Sequence, residues 1–291
     1  MTNAADQVDG TRVRSTPLTR PRPALFRALG NQDPPATIEC RREVFTRVQI
    51  LKHDSWAATA IYESPSRRAI CKFNRRQRIF VVPMAWLGRL LASRERTFME
   101  RLAGIPGIPL SLGRITADGR LLRNAVGHEY VEGHALAERE HVGDEFFPRL
   151  AAILAAVHDR GVAHVDLHKR ENILVDEAGH PCLIDYQISF GLPRRSRLAA
   201  AMLRPVLRML QRCDDYHLLK HRVKHRPDQI GMTSEELARQ RPWWIRLHRC
   251  VAIPFRGCRR RLLTLLCIRS RSGHAHSEAF PEIAHRPVAA A

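Results

Sequence analysis

Apolar residues recur along this chain in two rhythms, every second position and every third or fourth, and the changes between them mark out its elements. From Val44 the stretches VFTRVQIL and ATAIYE cluster β-favouring residues, and RRAICKF follows the turn ESPSRR. This pattern predicts three strands in an antiparallel meander. Over residues 86–103, Trp86, Leu87, Leu90, Leu91, Phe98, Met99 and Leu102 fall at helical spacing. One amphipathic helix is predicted there, stopped by the cluster Gly104, Pro106, Gly107 and Pro109. Two short strands are expected around LSLGRI and HEYVEG. Residues 145–160 (EFFPRLAAILAAVHDR) are apolar on most of a helical surface, which predicts a helix buried inside a domain. Two short apolar strands follow, in ENILVD and PCLIDY. Residues 1–40, rich in Pro and Arg and without periodicity, read as a flexible arm in which only Ala24–Gly30 offers a turn of helix.

The chain has 291 residues, 44% hydrophobic and 26% charged, enough to bury a core. Its longest apolar run, Leu150 to Val157, is far short of the roughly 18–20 residues a membrane span needs. The N-terminal stretch has no apolar run followed by a small-residue cleavage site, so secretion is not expected. Seven cysteines with no CxxC or zinc spacing read as reduced thiols, and a cytoplasmic location is expected. The formal charge is +19, of which +14 falls in residues 192–291 (21 Lys+Arg against 7 Asp+Glu). The charge therefore concerns the last third.

Chemistry concentrates in residues 161–190, GVAHVDLHKRENILVDEAGHPCLIDYQISF. A loop holding His164 and Asp166 precedes Asn172, a strand follows, and Asp185 lies thirteen residues after Asn172 at the end of a second strand. An isolated Asp or Asn in a loop most often makes a turn or a cap. The ordered set carries more weight. It resembles the catalytic core of the protein-kinase-like superfamily: a His-x-Asp catalytic loop, an Asn shortly after it, and an Asp at a strand end.

The resemblance implies an α+β, bilobal fold, with a small antiparallel-sheet lobe and hinge over residues 41–133 and a mostly helical lobe over 134–240. It also implies ATP and Mg²⁺. Asp166 would orient or deprotonate an acceptor hydroxyl, and Asn172 and Asp185 would hold the ion, with Glu171 an alternative to Asn172. Lys169, then His168, would neutralise charge on the transferred group. Upstream, Lys72 in AICKF would reach the phosphates and Glu95 on the helix would pair with it, Glu100 being a rival. Backbone groups at Glu129 to Val131 would bind adenine, Gly133 would turn the chain, and Asp214 or Asp215 would steady the catalytic loop.

This sequence departs from the family pattern in four places. The phosphate loop LKHDSWAATA has no glycine, so only backbone N–H groups between Ser55 and Ala58, Ala57 among them, would approach phosphates. Asn172 falls six residues after Asp166 instead of five. Asp185 is followed by Tyr186 and Gln187 in place of Phe-Gly. No Ala-Pro-Glu motif and no long activation segment follow, which looks more like bacterial relatives that phosphorylate sugars or lipopolysaccharide core, or like atypical serine/threonine kinases.

The extension over residues 241–291 interleaves Arg with Trp243, Trp244, Phe255 and leucines. A solvated or packed surface and an anionic membrane surface, here the inner membrane, are both expected uses of such a segment. Nucleic acid ranks last, for want of a reader motif. His217, His221 and His225 share one helix face, read as polar surface before metal site. The leading expectation is a kinase whose acceptor is a hydroxyl on protein, sugar or lipopolysaccharide. Its rivals are a pseudokinase scaffold and a peripheral membrane protein with a kinase-like body.

Overall fold

The structure, a computed structural model, describes residues 24–194 and 196–239. It opens with a single 3-10 turn at Ala24–Phe26. Four strands follow, β1 (Thr37–Cys40), β2 (Glu43–His53), β3 (Ala57–Glu63) and β4 (Arg68–Asn74), and then α1 (Ala85–Leu102). Next come β5 (Thr116–Ala117), β6 (Arg120–Leu121), β7 (Ala125–Glu129) and β8 (Gly133–Ala135). The chain continues through α2 (Phe146–Asp159), β9 (Val162–Ala163), β10 (Ile173–Asp176), β11 (Pro181–Leu183) and β12 (Phe190–Gly191). It closes on α3 (Arg197–His225) and α4 (Ser234–Arg239).

Seven strands form one sheet in the order β6-β5-β1-β2-β3-β4-β7, antiparallel throughout. The expected meander is its centre. Its edge is longer than the periodicity predicts, because β5 and β6 have two residues each, too few to show a period of two. LSLGRI itself forms only an isolated bridge, Ser111 to His128. β1 lies inside the stretch read as a flexible arm, and residues 24–40 are bound to the sheet. Ala28 N–H donates to the Asp54 carbonyl at 2.7 Å and the Tyr62 hydroxyl to the Pro35 carbonyl at 2.8 Å.

Helix α1 buries Gly88, Ala92, Glu95, Phe98, Met99 and Leu102, one stripe at three- and four-residue spacing. The stripe lies against β4 and β7. At the helix end, Arg160 donates to the Arg101 and Ala103 carbonyls at 2.8 and 2.9 Å, satisfying acceptors that have no partner within the helix. Among the described residues two large apolar cores result, beside two smaller clusters. One lines the sheet, with Phe45, Tyr62, Phe73, Leu112 and Ile115. The other joins α1 to α2 and β9–β11 through Phe98, Leu102, Phe146, Leu150, Leu154, Leu167, Ile173 and Tyr186. The architecture is mixed α and β with antiparallel strands, compatible with the α+β expectation. The extension over residues 241–291 lies outside the described residues, and no helix among those described is long and apolar enough to cross a membrane.

Candidate active site

Where the two cores meet, a cleft of about 800 Å³, open mouth included, is lined by Leu51, Lys52, Thr59, Lys72, Glu95, His128, Glu171, Asn172 and Asp185, among others. The pleat of β4 sends Cys71 and Phe73 into the sheet core and Lys72, between them, to the other face. There the Lys72 ammonium donates to both Glu95 oxygens, at 3.0 and 3.1 Å, and to Asp185 Oδ1 at 3.0 Å. Glu100 is exposed and faces Arg96 at 3.9 Å, so the helix offers Glu95 and not Glu100 to the lysine.

One ammonium shared by two buried carboxylates divides their behaviour. Burial opposes the charge on Lys72, but Asp185 and Glu95 more than restore it, and the lysine is held above its usual range. Burial raises Glu95 to about 7 against the attraction of Lys72, and the charge on Asp185 adds to the rise. Burial acts on Asp185 too, yet Lys72 and then Lys169 and His164 win, and its carboxyl sits at about 2. Asp185 therefore keeps its negative charge near neutral pH.

The loop after β9 is built on a fully buried carboxylate. Asp214 of α3 accepts from the backbone N–H groups of His164 at 2.7 Å and Val165 at 2.9 Å. These bonds hold Val165 at φ +70°, a conformation that β-branched residues avoid. Asp215 is exposed. Of the two candidates, Asp214 is the one that touches the loop. His164 Nε2 lies 2.9 Å from the Ile184 carbonyl, and its ring stands edge-on to Tyr186 at 5.0 Å. That pins the loop to the strand leading into Asp185.

Asp166 is buried. Lys169 donates to its Oδ2 at 2.7 Å. His168 Nδ1 lies 3.2 Å from its Oδ1, yet that oxygen has no aligned hydrogen-bond donor among the described residues. Asn172, buried at the end of a 3-10 turn, spends its Nδ2 on the Asp166 carbonyl at 3.1 Å. Both Asn172 and its alternative Glu171 reach the cleft. After Asp185, Tyr186 is fully buried in the second core and Gln187 donates to Asn74 at 3.2 Å, so the segment is fixed where a glycine would leave it free.

Two expected contributions are not brought to the cleft. In the β2–β3 turn, Asp54 Oδ1 accepts from Trp56 N at 2.7 Å and Ala57 N at 2.9 Å, while the Ser55 hydroxyl donates to the Phe26 carbonyl at 3.1 Å. The N–H groups expected to face phosphates thus bind a side chain of their own turn, and neither Ser55 nor Ala57 lines the cleft. Glu129 and Val131 do not line it either. Glu129 N–H donates to the Leu110 carbonyl, and its carboxylate pairs with Arg67, both at 2.9 Å. The preceding residues Val126, Gly127 and His128 line the cleft in their place.

Lys52, Thr59 and His128 were not singled out from the sequence. The signal for Thr59 is register: the turn ESPSRR sets Thr59 directly opposite Lys72. The histidine row of α3 packs inward as well. His221 Nε2 lies 2.9 Å from the Leu167 carbonyl, His225 Nδ1 lies 3.0 Å from the Glu140 carbonyl, and the His217 ring is 5.7 Å from His168. Burial above all brings His217 and His221 down to about 4, so both are neutral near pH 7 and support the loop uncharged.

No protein-family model matches the chain. In an alignment 112 residues long that covers 34% of the chain, it is 35% identical to CBL-interacting protein kinase 25 of Oryza sativa subsp. japonica. The match spans 21% of the rice protein. The comparison therefore finds a distant likeness to a protein kinase over a third of the chain.

Proposed function

We propose that this chain is an ATP-dependent phosphotransferase with a two-lobed, protein-kinase-like body, moving the γ-phosphoryl group of ATP to an acceptor hydroxyl. The observation that carries the reading is Lys72, held between Glu95 and Asp185 in a cleft that also takes in Asn172. The sheet with α1 would form the small lobe, and α2, α3 and β8–β12 the larger one.

The residues fit magnesium. Among the described residues no group of three or more His, Cys, Asp or Glu side chains is placed to hold a metal ion. Mg²⁺ needs no such cage, since one or two protein oxygens plus substrate phosphates and water complete its shell. Asn172 commits its nitrogen and keeps its oxygen, and Asp185 commits Oδ1 to Lys72 and keeps Oδ2. When bound, the ion would neutralise charge on the β- and γ-phosphates.

In this reading Lys72 orients the phosphates and Glu95 orients Lys72. Asp166 takes the acceptor's proton through Oδ1 as the hydroxyl oxygen bonds to phosphorus and the bridging P–O bond breaks, leaving ADP. Lys169, with His168 beside it, compensates charge at the mouth. The stretch from Tyr186 to Leu192 is tied down, by Arg94 to the Ser189 carbonyl at 2.8 Å and by Arg101 to the Leu192 carbonyl at 3.0 Å. It offers little platform for an extended peptide, which favours a sugar or lipopolysaccharide-core hydroxyl over a protein serine or threonine. The expected setting is the cytoplasm or the inner face of its membrane. Incubation with γ-labelled ATP and whole-cell protein and glycolipid fractions tests the acceptor. Label in glycolipid is expected, label confined to protein would make the acceptor a serine or threonine, and label in neither fraction contradicts the transfer.

The Asp54 turn favours a second reading, a pseudokinase that binds nucleotide weakly. A melting temperature unmoved by Mg-ATP would support it, because a ligand that binds the native state raises that temperature.

A further inference from the structure

The turn between β4 and α1 holds apolar side chains out into solvent. Phe80, Val81 and Trp86 are 79%, 87% and 60% exposed, and Val82, Leu90 and Leu121 are exposed beside them. A single exposed leucine is ordinary, but a cluster of this size marks a contact surface. Ile79 and Val82 exchange both backbone hydrogen bonds, at 3.1 and 2.9 Å, and put Phe80 and Val81 at the tip. Phe80 takes φ +52°, a costly conformation for a bulky residue. Trp86 and Leu90, four apart, continue the stripe along α1.

Arginines flank the tip in sequence. Residues 75–94 hold no Asp or Glu, and Arg76, Arg78 and Arg89 among them are exposed, whereas Arg75 is buried and Arg94 donates to the Ser189 carbonyl. Against the first turns of α1, at Ala85 and Arg89, a pocket is lined by Arg76 and Arg123 with Leu121 and Leu122. Arg78, Arg89 and Arg123 form no ion pair among the described residues. A second copy would set two such cationic faces against each other, which charge repulsion disfavours. An exposed apolar tip combined with exposed arginines matches a target that is anionic at its surface and apolar just beneath.

We propose that this face docks on an anionic phospholipid membrane, with Phe80, Val81 and Trp86 entering the interface and Arg78, Arg89 and Arg123 meeting the headgroup phosphates. This contact uses none of the basic residues 192–291 and does not depend on the phosphotransfer reading. Its test uses the full chain, sedimented with vesicles of phosphatidylcholine alone or with about one-third phosphatidylglycerol. Two double variants accompany it, Phe80→Ser with Val81→Ser and Arg89→Glu with Arg123→Glu. The wild type sediments with the anionic vesicles only, and less so as salt rises. Each double variant lowers the bound fraction about five-fold or more, and the vesicles slow amide exchange over residues 78–90. Wild-type sedimentation of both variants, or unchanged exchange at 78–90, overturns the proposal. So does binding of an acidic protein, or of a second copy, through this face without binding of vesicles.

Discussion

Lys72 answers to two carboxylates, and the difference between them is measurable. Glu95 keeps its proton up to about pH 7 in the folded chain, against 4.5 for an ordinary glutamate. Between those values the folded chain binds more protons than the unfolded one, so rising pH disfavours folding across that window. Asp185 has the opposite sign. Its carboxyl falls from 3.8 to about 2, so the stability it adds is present above 3.8 and is lost as pH drops toward 2. Replacing Glu95 by Gln should remove the first dependence alone. Urea midpoints taken at about pH 5 and pH 8 should then fall less in the variant than in the wild type, and equal falls would contradict the assignment. These residues were legible in the sequence through order and spacing. The retraction of Ser55 and Ala57 was not, because an aspartate that binds the next N–H groups competes with any ligand for the same donors, and small residues alone do not show which partner wins.

At the scale of elements, the loop after β9 is tied to α3, with the Asp214 carboxylate taking two of its backbone N–H groups and His221 meeting the Leu167 carbonyl. Removing the carboxylate in Asp214→Ala leaves the buried His164 N–H and the half-buried Val165 N–H without this acceptor and releases Val165 from its forced conformation. A loss of about 3 kcal/mol in unfolding free energy is expected, read by denaturant titration, and a loss under about 1 kcal/mol would show the cap to be dispensable. Gly133 ends the β7–β8 connection at φ +150°, and a Cβ there would collide with the Val175 carbonyl. Gly133→Ala should cost roughly 2–4 kcal/mol in the same titration. The turn foreseen at Gly133 is at root a close approach of β8 to β10. Long periodic elements were readable: the helix predicted over 86–103 runs from Ala85 to Leu102, and that over 145–160 from Phe146 to Asp159. Two-residue strands carry no period, and α3 runs through Pro205 where a break would be read. The α3 histidines look like polar surface because residue type does not report the buried carbonyls they meet.

Along the sequence, the large net charge and the candidate chemistry lie apart. The cleft works through one shared ammonium and buried carboxylates at the junction of two cores, whereas most of the excess cation lies in residues 192–291. Nucleotide binding should therefore depend on the cleft. Mg-ATP should raise the melting temperature of the wild type, and Lys72→Met should abolish that rise while the protein still unfolds cooperatively. An equal rise in the variant would place nucleotide elsewhere. The central claim is transfer chemistry at Asp166 and Asp185, and ATP turnover by the purified chain beside Asp166→Ala and Asp185→Ala tests it most directly. The account predicts turnover by the wild type and a fall of about 100-fold or more in each variant, and equal rates in all three proteins would contradict it.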